Sequence, residues 1–340
     1  MAFFSTFYQK IAVIFLSGTV LMSLLGGCAS STPQTAVLPV KPARLAIAVQ
    51  ATKPDETRTA WLPLVHDIGK KHGIATSLIT ASQGDTVKAL RDGTADVVWL
   101  SSNVAIDAVI DANAEAFALY FNVNGTNGYK GVLITRADSG IATLEQALAP
   151  GKYSYASGAK TSTSGYVLPQ HFLFNQRATT PEKLFKSVIY GGHFPNLDAL
   201  WAGQVDVAVN NSTDLAVFQT RTPAAKAGIR VLWESPLVPN DVLMVRKDAP
   251  ESVKLALKEL FLGYGKADAN ERDLLNRASG ISHFVPADNR LLSPVSEFKF
   301  ATERAAIQAN AAMGAPERAA QLVRMDQRAA TFKAALPAAK

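Results

Sequence analysis

From Arg44 onward, short β-branched runs alternate with segments of helical periodicity, and this alternation confines the chain to an α/β fold with largely parallel sheets. Residues 45–49 read as the first strand. A helix follows over 59–72, where Trp61, Leu64, Val65 and Ile68 recur at helical spacing and Gly73 supplies the stop. Residues 77–80, 85–91 and 96–100 then read as strand, helix and strand, completing a βαβαβ unit. A second unit carries strands at 153–156, 187–190 and 205–209, with helices near 165–175 and 196–202. Two extended runs, 129–136 and 242–246, flank that unit and suit strands that pass between two lobes. Helices over about 250–264 and 295–332 return to the first lobe, with Gly314-Ala315-Pro316 as a break. The expected organisation is a first lobe of 44–128 plus 239–340, discontinuous in sequence, and a second lobe of 129–238.

What precedes the body reads as targeting. In residues 1–27, Lys10 is the basic side chain of the first ten, 11–27 are uncharged, and Gly26 and Gly27 close the run, as in a secretory signal. The chain's one cysteine, Cys28, follows directly. Leu25-Gly26-Gly27-Cys28 resembles the lipobox of bacterial lipoproteins, in which a diacylglycerol is joined to the sulfur. The other reading of Cys28 is a buried or incidental thiol. Residues 28–43, rich in Ser, Thr, Pro and Ala, suit a flexible tether. A single cysteine leaves no disulfide framework and no structural zinc cluster. With 48% apolar residues the chain is not disordered, and a net charge of +6 suits an anionic ligand without requiring one. No later stretch reaches about 18 unbroken apolar residues, so nothing else is expected to cross a membrane.

The most informative local segment runs from Tyr155 to Pro169, out of a strand, through Ser162, Thr163 and Ser164, into a helix. First-turn N–H groups without intrahelical acceptors, the positive helix end and three hydroxyls can together hold a phosphate-like anion. Ordinary N-capping by one hydroxyl accounts for part of the same pattern. His193 follows a strand in what reads as a flexible Gly-rich turn, either exposed or donating to an anion. Asp241 sits where a chain crossing between lobes begins, as a turn cap or a partner for a cationic ligand group.

Enzyme signatures are missing. There is no Gly-x-Ser-x-Gly elbow, Gly158-Ala-Lys160-Thr161 lacks the glycine that opens a nucleotide-phosphate loop, and the histidines form no His-Glu-x-x-His pair. Ser164 and His193 as nucleophile and base explain no more than a hydroxyl facing a bound anion. Basic residues are dispersed, which gives no support for nucleic-acid binding.

Several ordered motifs resemble those of the substrate-binding proteins of phosphonate, phosphite and phosphate ABC importers. They are Ala89-Leu-Arg-Asp-Gly93 leading to Asp96-Val-Val-Trp, Ser162-Thr-Ser-Gly-Tyr-Val-Leu-Pro169, Gly192-His193 with Val205-Asp206-Val-Ala-Val-Asn-Asn211, and Ser235-Pro-Leu-Val-Pro-Asn-Asp241. The resemblance covers about 45–266. It implies a two-lobed type II periplasmic binding protein, each lobe a mostly parallel sheet flanked by helices, with the ligand cleft between them. It further implies that Ser162, Thr163, Ser164 and His193 hold phosphonate oxygens, that Tyr129 contacts the ligand, and that Asp241 receives the amine of aminoalkyl phosphonates. At two places the chain departs from the pattern. Ser82-Gln83 stands for an Asp-Tyr pair, which puts an amide, Gln83, at a ligand position, and Thr213, with Asp214 next, stands for a second acid. The implied role is non-enzymatic and free of cofactors: the lipid-anchored extracytoplasmic protein binds a phosphorus oxyanion and passes it to an inner-membrane permease. The alternative is the same fold sensing ligand for a membrane histidine kinase.

Overall fold

The computed structural model describes residues 37–51 and 53–338; the signal segment, Cys28 and the tether up to residue 36 lie outside them. In chain order the strands are β1 (Arg44–Gln50), β2 (Ala75–Ala81), β3 (Val97–Leu100), β4 (Ala114–Asn122), β5 (Gly128–Tyr129), β6 (Gly131–Arg136), β7 (Ser154–Gly158), β8 (Ser187–Gly191), β9 (Val207–Asn211), β10 (Ile229–Glu234), β11 (Val238–Pro239), β12 (Val242–Arg246) and β13 (Ile281–Pro286). The α-helices are α1 (Pro54–His72), α2 (Gln83–Arg91), α3 (Ser102–Asp111), α4 (Leu144–Ala147), α5 (Pro181–Leu184), α6 (His193–Trp201), α7 (Ser212–Arg221), α8 (Ala225–Gly228), α9 (Glu251–Gly263), α10 (Ala269–Ser279), α11 (Ser293–Ala309) and α12 (Ala315–Ala334).

Two sheets organise these elements, in the orders β13-β4-β12-β3-β1-β2 and β10-β6-β9-β7-β8. Each is parallel only through its βαβ half, β3-β1-β2 and β9-β7-β8. The expectation of largely parallel sheets is thereby corrected. The chain re-enters the first sheet through β12 without a crossover helix, so β12 runs antiparallel to both β3 and β4. The two passages between sheets meet: β5 and β11 form a short antiparallel ribbon, with Val238 opposite Tyr129 and Pro239 opposite Gly128.

Packing follows from the apolar spacing. Trp61, Leu64, Val65 and Ile68 of α1 lie against Leu45, Ile47 and Val49 on one face of the first sheet. Burying one such aliphatic side chain stabilises by roughly 1.5–3 kcal/mol. The other face takes α2 and α3, and all four residues of β3 are buried, which explains its unbroken apolar run. The first turn of α1 precedes the expected start because Asp55, Glu56, Thr57 and Arg58 present no apolar signal. Its end is as expected, with Gly73 at φ 67°. The tether is shorter than expected, because the Val40 N–H donates to the Ser252 carbonyl at 2.9 Å and docks the chain ahead of β1.

The helix after β7 is unusual. It is π-helical over Thr163–Val167 and again over Gln170–Phe174. Pro169 lacks an N–H and cannot close the regular ladder there, and a wider turn accommodates that loss. Among the described residues no helix is long and apolar enough to cross a membrane.

Candidate functional site

In open α/β sheets ligands bind beyond the carboxyl ends of the parallel strands. Gln50 ends β1, Ser82-Gln83 follow β2, Ser101 follows β3, the Ser162–Ser164 segment follows β7 and His193 follows β8. Four of these residues carry a buried polar atom without a hydrogen-bond partner among the described residues: Gln50 Oε1, Gln83 Oε1, Ser101 Oγ and His193 Nδ1. Orphaned groups of this kind cost stability and mark a place built to meet something polar.

The hydroxyl segment is held by backbone packing. A Cβ on Gly158 would lie 2.5 Å from the Gly165 Cα, so only glycine lets the end of β7 touch the start of the π-helix. Ser162 caps that helix, its Oγ accepting from the Gly165 N–H at 3.0 Å. Thr163 and Ser164 follow, 1% and 2% exposed, at the positive helix end.

His193 is not in a flexible turn, as its glycine neighbours suggested; it is the first residue of α6. Asn196 fastens that helix to β7 by donating to the Ser157 carbonyl at 3.0 Å, and Asn210 donates to the carbonyl of His193 itself at 2.8 Å. The ring thus stands with Nε2 3.4 Å from Ser164 Oγ. Burial lowers its pKa, with the Asp214 charge opposing, so the imidazole is neutral at neutral pH. Tyr129, in the β5–β11 ribbon, is hydrogen-bonded with Thr163, and burial raises its hydroxyl pKa, keeping it a neutral donor.

The other end of the site is acidic. Asp241, between β11 and β12, accepts from Trp99 Nε1 at 2.9 Å and Gln50 Nε2 at 3.4 Å. Burial pushes its pKa up to about 6; the Trp99 bond opposes this and Asp214 adds to it. Trp99 is fixed by stacking on Tyr120 at 4.8 Å and by the edge of Trp61 at 4.7 Å.

The structure therefore brings together Ser164 with His193 and Thr163 with Tyr129, and places Asp241 within the field of Asp214. Gln83 lines a groove of about 360 Å³ with Thr161, Asp107 and Arg328, to one side of the hydroxyl segment. Thr213 lies on the first turn of α7, but the group whose charge reaches His193 and Asp241 is its neighbour Asp214. Asp214 was not expected as a site residue. The available signal was Asn211-x-x-Asp214: the Asp214 N–H donates to Asn211 Oδ1 at 2.7 Å while Asn211 Nδ2 donates back to Asp214 Oδ2 at 2.9 Å. Gln50 and Trp99 were also missed, since in sequence both read as ordinary strand residues.

This geometry joins hydroxyls at a helix end to a pair of acids. Residues 47–292 match the family of periplasmic substrate-binding proteins of phosphonate ABC transporters. The chain belongs to that family. The phosphonates-binding periplasmic protein of Escherichia coli (strain K12) is 30% identical over 263 residues, 77% of each chain. A binding protein component of an ABC phosphonate transporter from Pseudomonas aeruginosa is 28% identical with a TM-score of 0.73, covering 87% of this chain and 98% of that one. PhnD1 from Prochlorococcus marinus in complex with methylphosphonate shares the fold, with a TM-score of 0.65 at 16% identity over 76% of this chain and 97% of that one. The phosphonate-family chain is accordingly a two-lobed transport component and not an enzyme.

Proposed function

We propose that the cleft between the two sheets binds a phosphonate with its oxygens on Thr163, Ser164, His193 and Tyr129 and its carbon chain directed toward Asp241 and Asp214, before release to the permease. The observation that carries this reading is the pair of buried hydroxyls, Thr163 and Ser164, on a helix N-terminus beside a neutral, rigidly placed His193. Ser162 supports the segment through its cap. Gln83 is assigned the rim beside Thr161, and Thr213 the rim beside Asp214.

Replacing Thr163 or Ser164 with Ala removes a hydrogen bond to an anion worth roughly 1.5–3 kcal/mol. By calorimetry with methylphosphonate, affinity should fall at least about tenfold in each variant without vanishing, because main-chain donors remain. Wild-type affinity in both variants would remove this segment from the site.

The proposal extends to the anchor: Cys28 carries the lipid that holds the protein at the outer face of a membrane, a reading supported by its place at the end of the apolar run 11–27. Cys28→Ser should abolish metabolic labelling with a radiolabelled fatty acid while methylphosphonate affinity of the purified body is unchanged. Labelling that persists would sink the anchor.

A further inference from the structure

The first turn of α3 has main-chain N–H groups with no intrahelical acceptor. One of them is taken by the opposite side of the cleft, where the Asn103 N–H donates to Thr163 Oγ1 at 3.1 Å. The Asn103 side chain makes a second crossing, Nδ2 donating to the Thr161 carbonyl at 2.8 Å. What holds that amide is remote in sequence. Lys299 of α11 donates to Asn103 Oδ1 at 3.1 Å, and its remaining protons are taken by Asp107 at 3.1 Å and Glu303 at 3.0 Å. Asn103 is 3% exposed and Lys299 6%. Arg328 of α12 secures the other oxygen of Asp107 at 2.8 Å.

A buried ammonium is tolerated when each of its three protons has an acceptor, and here each has one. The consequence is directional. With its oxygen pinned to Lys299, the Asn103 amide cannot flip, and its NH₂ must face Thr161. Thr163 Oγ1, which accepts from the Asn103 N–H, is thereby held between Asn103 and Tyr129. Lys299 lies beyond residue 292, where the family match ends, so this arrangement draws on a segment outside it.

We infer that Lys299 and Asn103 form a latch that closes the cleft over bound phosphonate, with Asn103 a positioning residue that gathers Thr161 and Thr163 from the facing lobe. The latch rests on the proposed phosphonate site.

A latch that must break before the ligand can leave governs departure more than arrival. With methylphosphonate as probe in stopped-flow measurements, Asn103→Ala should raise the dissociation rate about tenfold and change the association rate less than about twofold. Lys299→Met, which keeps the length of the stem, should act in the same direction. The double variant should lose no more than the worse single one, because both break the same chain of bonds. An unchanged dissociation rate in the folded Asn103→Ala protein overturns the latch, as do equal changes in both rates. Failure of the wild-type protein to bind methylphosphonate would sink the ligand reading alone. The latch is then judged by small-angle scattering without ligand, where Asn103→Ala should show a larger radius of gyration than wild type and equal radii would overturn it.

Discussion

Gly158→Ala is expected to lower phosphonate affinity by at least about a hundredfold while leaving a folded protein. The added Cβ would lie 2.5 Å from the Gly165 Cα, 2.6 Å from its carbonyl carbon and 2.7 Å from its oxygen. All three are backbone atoms, so no side chain can turn aside. The end of β7 and the start of the π-helix must therefore separate, which carries Ser164 away from His193 and Thr163 away from Asn103. Overpacking of this kind costs about 1–3 kcal/mol of stability, less than a domain of this size can lose and still fold. Losing two oriented hydrogen bonds to an anion costs roughly 3 kcal/mol of binding, or about two decades. Gly263→Ala is the matched control, since nothing lies within 4 Å of its Cβ and its φ is ordinary. Calorimetry on both variants decides the matter: wild-type affinity in a folded Gly158→Ala protein would show that the site does not depend on this close approach.

Asp241→Asn is expected to stabilise the ligand-free protein at pH 7.5 by roughly 1–3 kcal/mol. The sign follows from linkage. The native carboxyl titrates at about 6 rather than its ordinary 3.8, so the folded chain holds that proton more tightly than the unfolded chain does. Its contribution to stability is most favourable below pH 3.8, declines as pH rises to about 6, and is constant above. Asparagine removes this slope and still offers an oxygen to Trp99 Nε1. Urea unfolding at pH 7.5 and pH 4 should therefore show a stability gain at the first and little at the second. Binding supplies the converse test. As pH falls through about 6, Asp241 loses its charge, and the affinity ratio of an aminoalkyl phosphonate to methylphosphonate should decline in the wild type but stay flat in Asp241→Asn. Taking a ratio cancels the ionisation of the phosphonate group itself. No stability gain at pH 7.5 would mean that the contacts of Asp241 with Trp99 and Gln50 outweigh the burial of its charge.

Local patterns carried most of the fold, and tertiary contacts account for what they missed. Val242–Arg246 is a strand with the expected bounds because a short β-branched run between Asp241 and a turn admits little else. By contrast β4, Ala114–Asn122, went unread, since its alanines favour helix and only pairing with β12 and β13 makes it a strand. Helix α10 and strand β13 were missed between Tyr264 and Ser293 for lack of a strong period. At the proposed site, the placing of Ser162, Thr163 and Ser164 between β7 and a helix was legible because a strand, a hydroxyl run and a helix are contiguous in sequence. The setting of His193 was not, because its rigidity comes from Asn196 and Asn210 reaching across from other positions. The charge of Asp214, one residue after Thr213, acts on His193 and Asp241, a neighbourhood that only the fold brings about. Lys299 and Asn103 are 196 residues apart, and no local pattern connects them.

The strand order also fixes when each sheet can exist during synthesis. All strands of the second sheet fall within residues 131–234, so it is complete as soon as that run has emerged. The first sheet has to wait, because β12 lies between β3 and β4, and residues 97–122 have no native neighbour on that side until 242–246 are made. Closing so long a loop is slow. The second sheet can therefore close before the first, although its residues follow β1 to β4 in the chain.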